Sequence, residues 1–171
     1  LYVRKGTRMR PLIYGGHQEK GRRPGTENVP GVIGMGKAAE LALAHLKDMP
    51  RVAALRDKLQ KGILEKIQTA SINGSLDKRT PNTLNASFEF IEGESILLYL
   101  DRKGICVSTG SACSSGSLEP SHVLRAMNIP FSKIHGSVRF SLSRYTTEEE
   151  IDYTLQELPG VIEALLTISP F

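Results

Sequence analysis

One cysteine, Cys113, lies in a segment made almost entirely of small residues, Gly110-Ser111-Ala112-Cys113-Ser114-Ser115-Gly116. Such a segment offers few side chains for packing and has much backbone freedom. A free cysteine that serves only packing is usually buried among apolar neighbours. The surroundings of Cys113 therefore indicate a thiol that matters for its reactivity. A glycine- and serine-rich turn with an incidental cysteine is the alternative.

The chemistry open to such a thiol follows from its ionisation. The thiolate is the nucleophile, and an unperturbed cysteine with a pKa of about 8.5 is only a few per cent ionised at neutral pH. A side chain on a loose loop can move between a donor and an acceptor. We therefore expect Cys113 to carry a group rather than to attack from a fixed position.

Arg139 is the second candidate. Apolar and polar residues alternate from Gly136 to Leu142, which predicts a strand with Arg139 on its polar face. The planar guanidinium of arginine suits two parallel hydrogen bonds to a carboxylate. The alternative is a surface arginine that pairs with a nearby glutamate.

A third candidate is the basic turn at residues 22–28, Arg-Arg-Pro-Gly-Thr-Glu-Asn, in which Thr26 offers a hydroxyl just before a helical stretch. Basic, glycine-containing turns that precede a helix suit a phosphate group. The turn matches neither a Walker loop nor the G-x-G-x-x-G pattern. A solvated turn without a ligand is the alternative.

The histidines and cysteines do not have the spacing of a metal site. Cys106 and Cys113 are separated by six residues, and the four histidines form no H-x3–5-H pair, so we expect no bound metal. These histidines are His17, His45, His122 and His135. Cys106 lies in the apolar stretch Gly104-Ile105-Cys106-Val107, which predicts a core position.

Composition places the chain among ordinary globular proteins, because 40% of its 171 residues are hydrophobic and 23% are charged. Its net charge of +4 is uneven. Residues 1–23 hold seven basic side chains and one acidic, while the rest hold 15 basic and 17 acidic. This basic end predicts an anionic partner. Nucleic acid is the weaker choice, because aromatic residues make up only 6% and no stacking motif is present.

Two cysteines are too few for a secreted disulfide framework, so we expect a reducing compartment, the cytoplasm. No run of 18 apolar residues and no signal-peptide pattern occurs, so no membrane association is expected. The chain begins without a methionine, directly in what looks like a strand. We therefore expect that it is part of a longer protein or that something was removed.

The first seventy residues predict two short strands, a loop and two helices. The strands are Leu1–Arg4 and Pro11–Tyr14, and a polar loop occupies residues 17–31. An apolar stripe from Val32 to Leu46 has helical spacing. Asp48-Met49-Pro50 then predicts the start of a second helix that ends near Ala70.

From residue 83 onward, strands and helices alternate, which predicts an α/β layer formed by one sheet with helices on it. The predicted elements are strand Thr83–Phe90, helix Glu94–Lys103, strand Ile105–Ser108, helix Pro120–Met127 and strand Gly136–Leu142. A capping box at Thr146-x-x-Glu149 predicts the start of the last helix. Pro159-Gly160 is expected to kink or break that helix.

Taken together, these residues resemble the NifS/IscS-type cysteine desulfurases, which are class V aminotransferase-like, fold-type I enzymes that use pyridoxal 5'-phosphate. The resemblance covers nearly the whole chain, from Leu1-Tyr2-Val3-Arg4 to Thr146–Asp152. Its most specific part is Ser108–Ser121, which looks like the long-loop group that serves iron–sulfur cluster assembly. Gly25-Thr26-Glu27-Asn28-Val29 looks closer to NifS than to IscS.

The resemblance implies a role for each candidate. Cys113 matches the catalytic cysteine, which takes sulfur from L-cysteine as a persulfide and leaves L-alanine. Arg139 matches the arginine that binds the substrate carboxylate, and Thr26 matches a threonine that reaches the cofactor phosphate of the other subunit of a homodimer. An iron–sulfur scaffold protein is the implied sulfur acceptor.

The resemblance also implies that essential parts are missing. The Schiff-base lysine, the aspartate at the pyridine nitrogen and most phosphate ligands of the family lie upstream of the position that matches Leu1, and none of the ten lysines here has a matching context. The chain resembles the C-terminal half of the enzyme. We expect an edge of the large cofactor domain at residues 1–47, a bridging helix at 48–70 and a small C-terminal α/β domain at 71–171.

Without that lysine, we expect the chain alone not to desulfurate cysteine. The leading hypothesis is a fragment of a cysteine desulfurase, or one piece of a split enzyme with a complementing N-terminal chain, that retains the sulfur-carrying segment around Cys113. The alternatives are an orphan non-catalytic module that accepts sulfur or binds a protein, a relative of selenocysteine lyase, and an RNA-binding protein.

Overall fold

The structure is a computed structural model that describes residues 1–109 and 120–169. The chain divides into two units, Leu1–Ala44 and His45–Phe171. Each unit is described by itself below. The three-part division at residues 47 and 70 stays a prediction.

The first unit has two helical segments, a short α1 at Gln18–Gly21 and the regular helix α2 at Val29–Ala44. None of its residues is buried. The predicted helix is confirmed as α2, but the predicted strands Leu1–Arg4 and Pro11–Tyr14 are wrong. A strand needs a neighbour with which to pair, and no other segment of Leu1–Ala44 lies beside either stretch as a strand.

The second unit is a mixed α/β fold, which confirms the predicted fold class. It begins with a 3-10 turn at Leu46–Asp48. Its helices are α3 at Met49–Lys66, α4 at Gly93–Asp101, α5 at His122–Ala126, α6 at Phe131–Ile134 and α7 at Glu148–Ile168. Its strands are β1 at Ala70–Ile72, β2 at Thr83–Phe88, β3 at Ser108–Thr109 and β4 at Ser137–Ser141.

The strands form one antiparallel sheet in the order β1-β2-β4-β3. Helices α3, α4 and α7 pack together and against this sheet, and the core lies between the two layers. The fully buried side chains of this core include Leu59, Phe88, Ile96, Val138 and Leu158. Burial of each such side chain contributes about 1.5–3 kcal/mol to folding. The alternating apolar residues of β2 and β4 therefore fix which face of the sheet the helices cover.

The last helix differs from its prediction at two places, the capping box at its start and the proline in its interior. The capping box is formed by Thr147 and Glu150, one residue later than predicted, because the Thr146 hydroxyl accepts the Ser143 N–H in the preceding turn at 2.9 Å. The predicted break at Pro159 is wrong, since α7 continues through it. Proline leaves the carbonyl four residues earlier without its helical donor. Lys66 Nζ donates to this carbonyl, the Leu155 oxygen, at 3.0 Å.

Gly136 permits β4 to approach the end of β2. The Gly136 carbonyl accepts the Phe88 N–H at 3.0 Å. A Cβ atom on Gly136 would overlap the Phe88 carbonyl oxygen and would lie 2.7 Å from the Ile91 carbonyl oxygen. Both obstacles are backbone atoms, which cannot rotate away as a flexible side chain can. Residue 136 must therefore be glycine for β4 to lie in its observed position.

We predict that Gly136→Ala lowers the free energy of unfolding by at least about 2 kcal/mol, because the added methyl group displaces backbone. Gly160→Ala is the control, since a Cβ atom at that exposed position in α7 has nothing within 4 Å. This control should raise stability by about 0.5–1 kcal/mol through helix propensity. Urea unfolding followed by circular dichroism measures both. Equal stability of the two variants would contradict the close approach at Gly136.

Candidate functional site

The sheet face opposite the helix layer is polar. Residues that lie directly opposite each other in an antiparallel sheet point to the same face, and side chains alternate along each strand. The strand register therefore groups Ser71, Asn73, Thr83, Asn85, Ser87, Ser108, Ser137, Arg139 and Ser141. We call this set the polar sheet face. It contains no carboxylate, and its one charge is that of Arg139.

Arg139 occupies the middle of the polar sheet face, as predicted from the alternation around it. It pairs with Asn85 on β2 and with Ser108 on β3. The residue is exposed, and within residues 1–109 and 120–169 its guanidinium forms no hydrogen bond or ion pair. The alternative of a surface arginine held by a nearby glutamate is therefore not observed in the described part of the chain. Five N–H donors remain available for a ligand.

Cys113 lies outside the described residues, so its predicted role stays a prediction. The described chain does show the position of β3, the strand that precedes the cysteine segment. Thr109 in β3 pairs with Val138, the residue before Arg139. Thr109 stands four residues before Cys113 in the sequence. One end of the cysteine segment is thus attached to the strand that borders Arg139.

Cys106 is exposed, so its predicted core position is wrong. The predicted strand Ile105–Ser108 is shorter in the structure, where β3 contains only Ser108–Thr109. Cys106 precedes β3 without regular structure and borders an open cleft of about 340 Å³ that is also lined by Phe140, Glu150 and Tyr153. An apolar run of four residues could not reveal that its cysteine faces away from the core.

Thr26 belongs to the first unit and lies in an exposed turn. The Arg23 guanidinium donates to the carbonyl oxygens of Gly25 at 3.3 Å and of Thr26 at 2.9 Å. The Gly25 N–H donates to Gln18 Oε1 at 3.2 Å, and Gly25 has a φ of +91°, which favours glycine. These contacts fix the backbone and leave the Thr26 hydroxyl without a described partner. Its contact with a phosphate stays a prediction.

The histidines do not assemble a metal site in the described part of the chain. There, no three side chains among His, Cys, Asp and Glu cluster as metal ligands would. His45 instead contacts Asp48, with 2.8 Å between Nδ1 and Oδ2, and His135 Nδ1 lies 3.9 Å from a Glu92 oxygen. None of the helices in residues 1–109 and 120–169 has the length and hydropathy that are needed to cross a membrane.

Sequence reasoning missed the polar neighbours of Arg139. The strand predicted at Thr83–Phe90 contains Asn85 without giving it a role, and no predicted element contains Asn73. The alternation in β2 and β4 is visible in the sequence. Which polar residue of β2 lies opposite Arg139 depends on the register, and no pattern within either strand encodes it.

Comparison of the sequence with known proteins identifies a family and several relatives of this chain. A profile of the aminotransferase class-V family matches residues 1–154. The chain is 61% identical over 171 residues to "Cysteine desulfurase 2" of Trichormus variabilis and 58% identical over 172 residues to "Cysteine desulfurase NifS" of Azotobacter vinelandii. The matches include 100% of this chain and 43% of each relative. The chain therefore spans less than half the length of these relatives.

Solved structures give the same result for the fold. A protein described as NifS-like superposes with a TM-score of 0.83 at 39% identity, over 96% of this chain and 42% of the other. A NifS-like protein from Rickettsia africae superposes with a TM-score of 0.79 at 29% identity, over 92% of this chain and 41% of the other. These likenesses agree with the resemblance that the sequence motifs carry.

The exposure of Cys106 is testable with a thiol reagent. We predict that folded Cys113→Ser chain reacts with one equivalent of Ellman's reagent, because Cys106 is accessible to solvent. Cys106→Ser is the matched variant for the other thiol, and the double variant gives the baseline. If the Cys113→Ser chain reacts only after denaturant is added, Cys106 is a core residue after all.

Proposed function

Because the chain belongs to the aminotransferase class-V family, we propose that it is the C-terminal part of a cysteine desulfurase. The complete enzyme moves sulfur from L-cysteine to a cysteine persulfide and releases L-alanine. Two relatives with the name cysteine desulfurase, at 61% and 58% identity, support this assignment.

One observation carries the proposal: the unoccupied guanidinium of Arg139 adjoins the strand that leads to Cys113. An arginine fork with no protein partner suits the carboxylate of an amino acid. In the sequence, Cys113 follows the end of β3 by four residues. We propose that a substrate carboxylate at Arg139 keeps the substrate sulfur within reach of the Cys113 thiol.

The sulfur transfer balances without an external oxidant. The carbon–sulfur bond of L-cysteine breaks, and a sulfur–sulfur bond forms between the substrate sulfur and the Sγ of Cys113. A proton takes the place of sulfur on the substrate carbon, which gives L-alanine. Cys113 acts as the nucleophile in its thiolate form, and Arg139 holds the carboxylate.

The described residues fit only one end of the implied cofactor. Pyridoxal 5'-phosphate supplies an electron sink that makes the carbon–sulfur bond breakable. Arg23 and Gln18 hold the turn that carries the exposed Thr26 hydroxyl. This hydroxyl could donate a hydrogen bond to one oxygen of the cofactor phosphate. The lysine that holds the cofactor in the family has no counterpart here. We propose that the cofactor is held chiefly by residues outside this chain.

The first unit supports the need for a further protein segment. Helix α2 has no buried residue, and its large side chains Val32, Ile33, Met35 and Leu43 are each more than 60% exposed. A helix this apolar is normally covered by packing partners. We propose that the rest of the cofactor domain covers it, either in one longer chain or as a complementing N-terminal chain, and that the complete enzyme is a homodimer.

The remaining assignments follow the family. We propose that an iron–sulfur scaffold protein accepts the sulfur and that the protein works in the cytoplasm. The competing function is a non-catalytic module that accepts sulfur or binds a protein. The absence of a matching lysine favours that alternative for the isolated chain, and the following experiment separates the two.

We predict no alanine when the isolated chain is mixed with pyridoxal 5'-phosphate and L-cysteine, because the cofactor-holding lysine is missing. Alanine should form in the assembled enzyme, by which we mean the chain joined through Leu1 to the preceding segment of its A. vinelandii relative. Amino-acid analysis measures the product. Alanine formation by the isolated chain would contradict the need for the preceding segment. An assembled enzyme that binds the cofactor but forms no alanine would contradict the proposed function.

Variants of the assembled enzyme test the two roles. Cys113→Ser should abolish alanine formation, because no sulfur nucleophile remains. Arg139→Ala should lower kcat/KM for L-cysteine about a hundredfold or more through loss of a charge-assisted pair. Arg139→Lys is the matched control, since it retains the charge but not the planar fork, and it should lose less. Equal activity of the alanine and wild-type forms would remove Arg139 from the site.

A further inference from the structure

Asn85 lies directly beside Arg139 on the polar sheet face. The two residues are paired across β2 and β4, so their Cβ atoms are separated by about 5 Å. Asn85 is half-buried while Arg139 is exposed. A ligand that approaches Arg139 from the open side of the sheet therefore also approaches the amide of Asn85.

A neighbouring asparagine fixes the orientation of this amide. Asn73 Nδ2 donates to Asn85 Oδ1 at 2.6 Å and to the Ser87 hydroxyl at 2.7 Å. The Asn73 backbone N–H donates to the Asn85 carbonyl at 2.9 Å, which holds the two residues side by side. Because Oδ1 of Asn85 is already occupied, its Nδ2 group is the part that stays available.

Two donor groups at this place lack an acceptor in the described part of the chain. Within residues 1–109 and 120–169, neither the Asn85 Nδ2 group nor the Arg139 guanidinium has an acceptor. The polar sheet face has no aspartate or glutamate that could supply one. An ionised carboxylate has two oxygen atoms and only accepts hydrogen bonds. It can therefore satisfy both residues at once.

We propose that Asn85 donates the second hydrogen bond to the substrate carboxylate and that Asn73 is the positioning residue that keeps the Asn85 N–H group turned toward it. This inference rests on the proposed function, because it takes the carboxylate of L-cysteine as the ligand of Arg139. Arg139 attracts the anion, and Asn85 sets the orientation of the carboxylate plane. Asn73 acts through Asn85 alone and does not touch the substrate.

The test compares two ligands of the assembled enzyme, L-alanine and L-alaninamide, in which a neutral amide replaces the carboxylate. Asn85→Ala should weaken L-alanine binding about tenfold, as loss of one hydrogen bond to a charged group requires. Binding of L-alaninamide should change less than about twofold. Isothermal titration calorimetry of the holoenzyme measures both affinities.

Asn73→Asp separates positioning from contact. An aspartate at residue 73 can only accept, so Asn85 must turn its Nδ2 toward it and present Oδ1 to the ligand. This variant should therefore weaken L-alanine binding by about the same tenfold factor, although residue 73 lies one strand farther from Arg139. Asn82→Asp, which makes the same charge change before β2, and Ser141→Ala, on the same face of β4, are controls that should retain wild-type affinity.

The outcomes are distinct. If Asn85→Ala binds L-alanine as the wild type does, or weakens both ligands equally, the inference is overturned while the proposed function stands. If Asn73→Asp has no effect, the positioning role is overturned. A wild-type assembled enzyme that binds L-alanine no better than L-alaninamide would overturn the inference and the proposed function together.

Discussion

The pairing of β4 with strands on both sides is the constraint on which the rest of the structure depends. β4 lies between β2 and β3, and its first contact with β2 requires a glycine at residue 136. This arrangement places Arg139 opposite Asn85 and next to β3. A shift of one residue in the pairing would turn Arg139 toward the helices and expose Phe140. The proposed site is therefore a consequence of the register.

The two faces of the sheet differ in the chemistry of their side chains. The helix-covered face is apolar. In the helix layer, Lys58 of α3 forms ion pairs with two residues of α7, Glu148 at 2.7 Å and Asp152 at 2.5 Å. These two carboxylates hold the pKa of Lys58 above its ordinary value. The opposite face carries hydroxyl, amide and guanidinium groups, and Asn73 holds the amide of Asn85 in place before any ligand arrives. Such preorganisation reduces the cost of binding.

Local patterns in the sequence predicted what depends on local physics. The predicted strands Thr83–Phe90 and Gly136–Leu142 correspond to β2 and β4, and the apolar stripe from Val32 to Leu46 predicted α2. One failure involves a partner that lies far away in the chain. Helix α7 continues through Pro159, and Lys66 on another helix bonds to the carbonyl that the proline leaves free.

The candidate site likewise contains residues that the sequence could predict and residues that it could not. Arg139 was predictable from its residue type and its place in an alternating strand. Its neighbour Asn73 was not, because that residue reaches the site only through the pairing of β1 with β2. Cys106 was misplaced, since a short apolar run does not show which of its side chains faces the core. The roles of Cys113 and Thr26 remain predictions from the resemblance of their motifs.

The central claim is that Arg139 and Cys113 form one site, and the alkylation rate of Cys113 tests it most directly. Iodoacetate carries a carboxylate and iodoacetamide does not, so a nearby free guanidinium should favour iodoacetate. Mass spectrometry of the Cys113 peptide gives both rates on the isolated chain. We expect Arg139→Ala to lower the iodoacetate-to-iodoacetamide rate ratio severalfold, while Lys61→Ala, which removes one positive charge from the helix layer, leaves it unchanged. An unchanged ratio in Arg139→Ala would contradict the account.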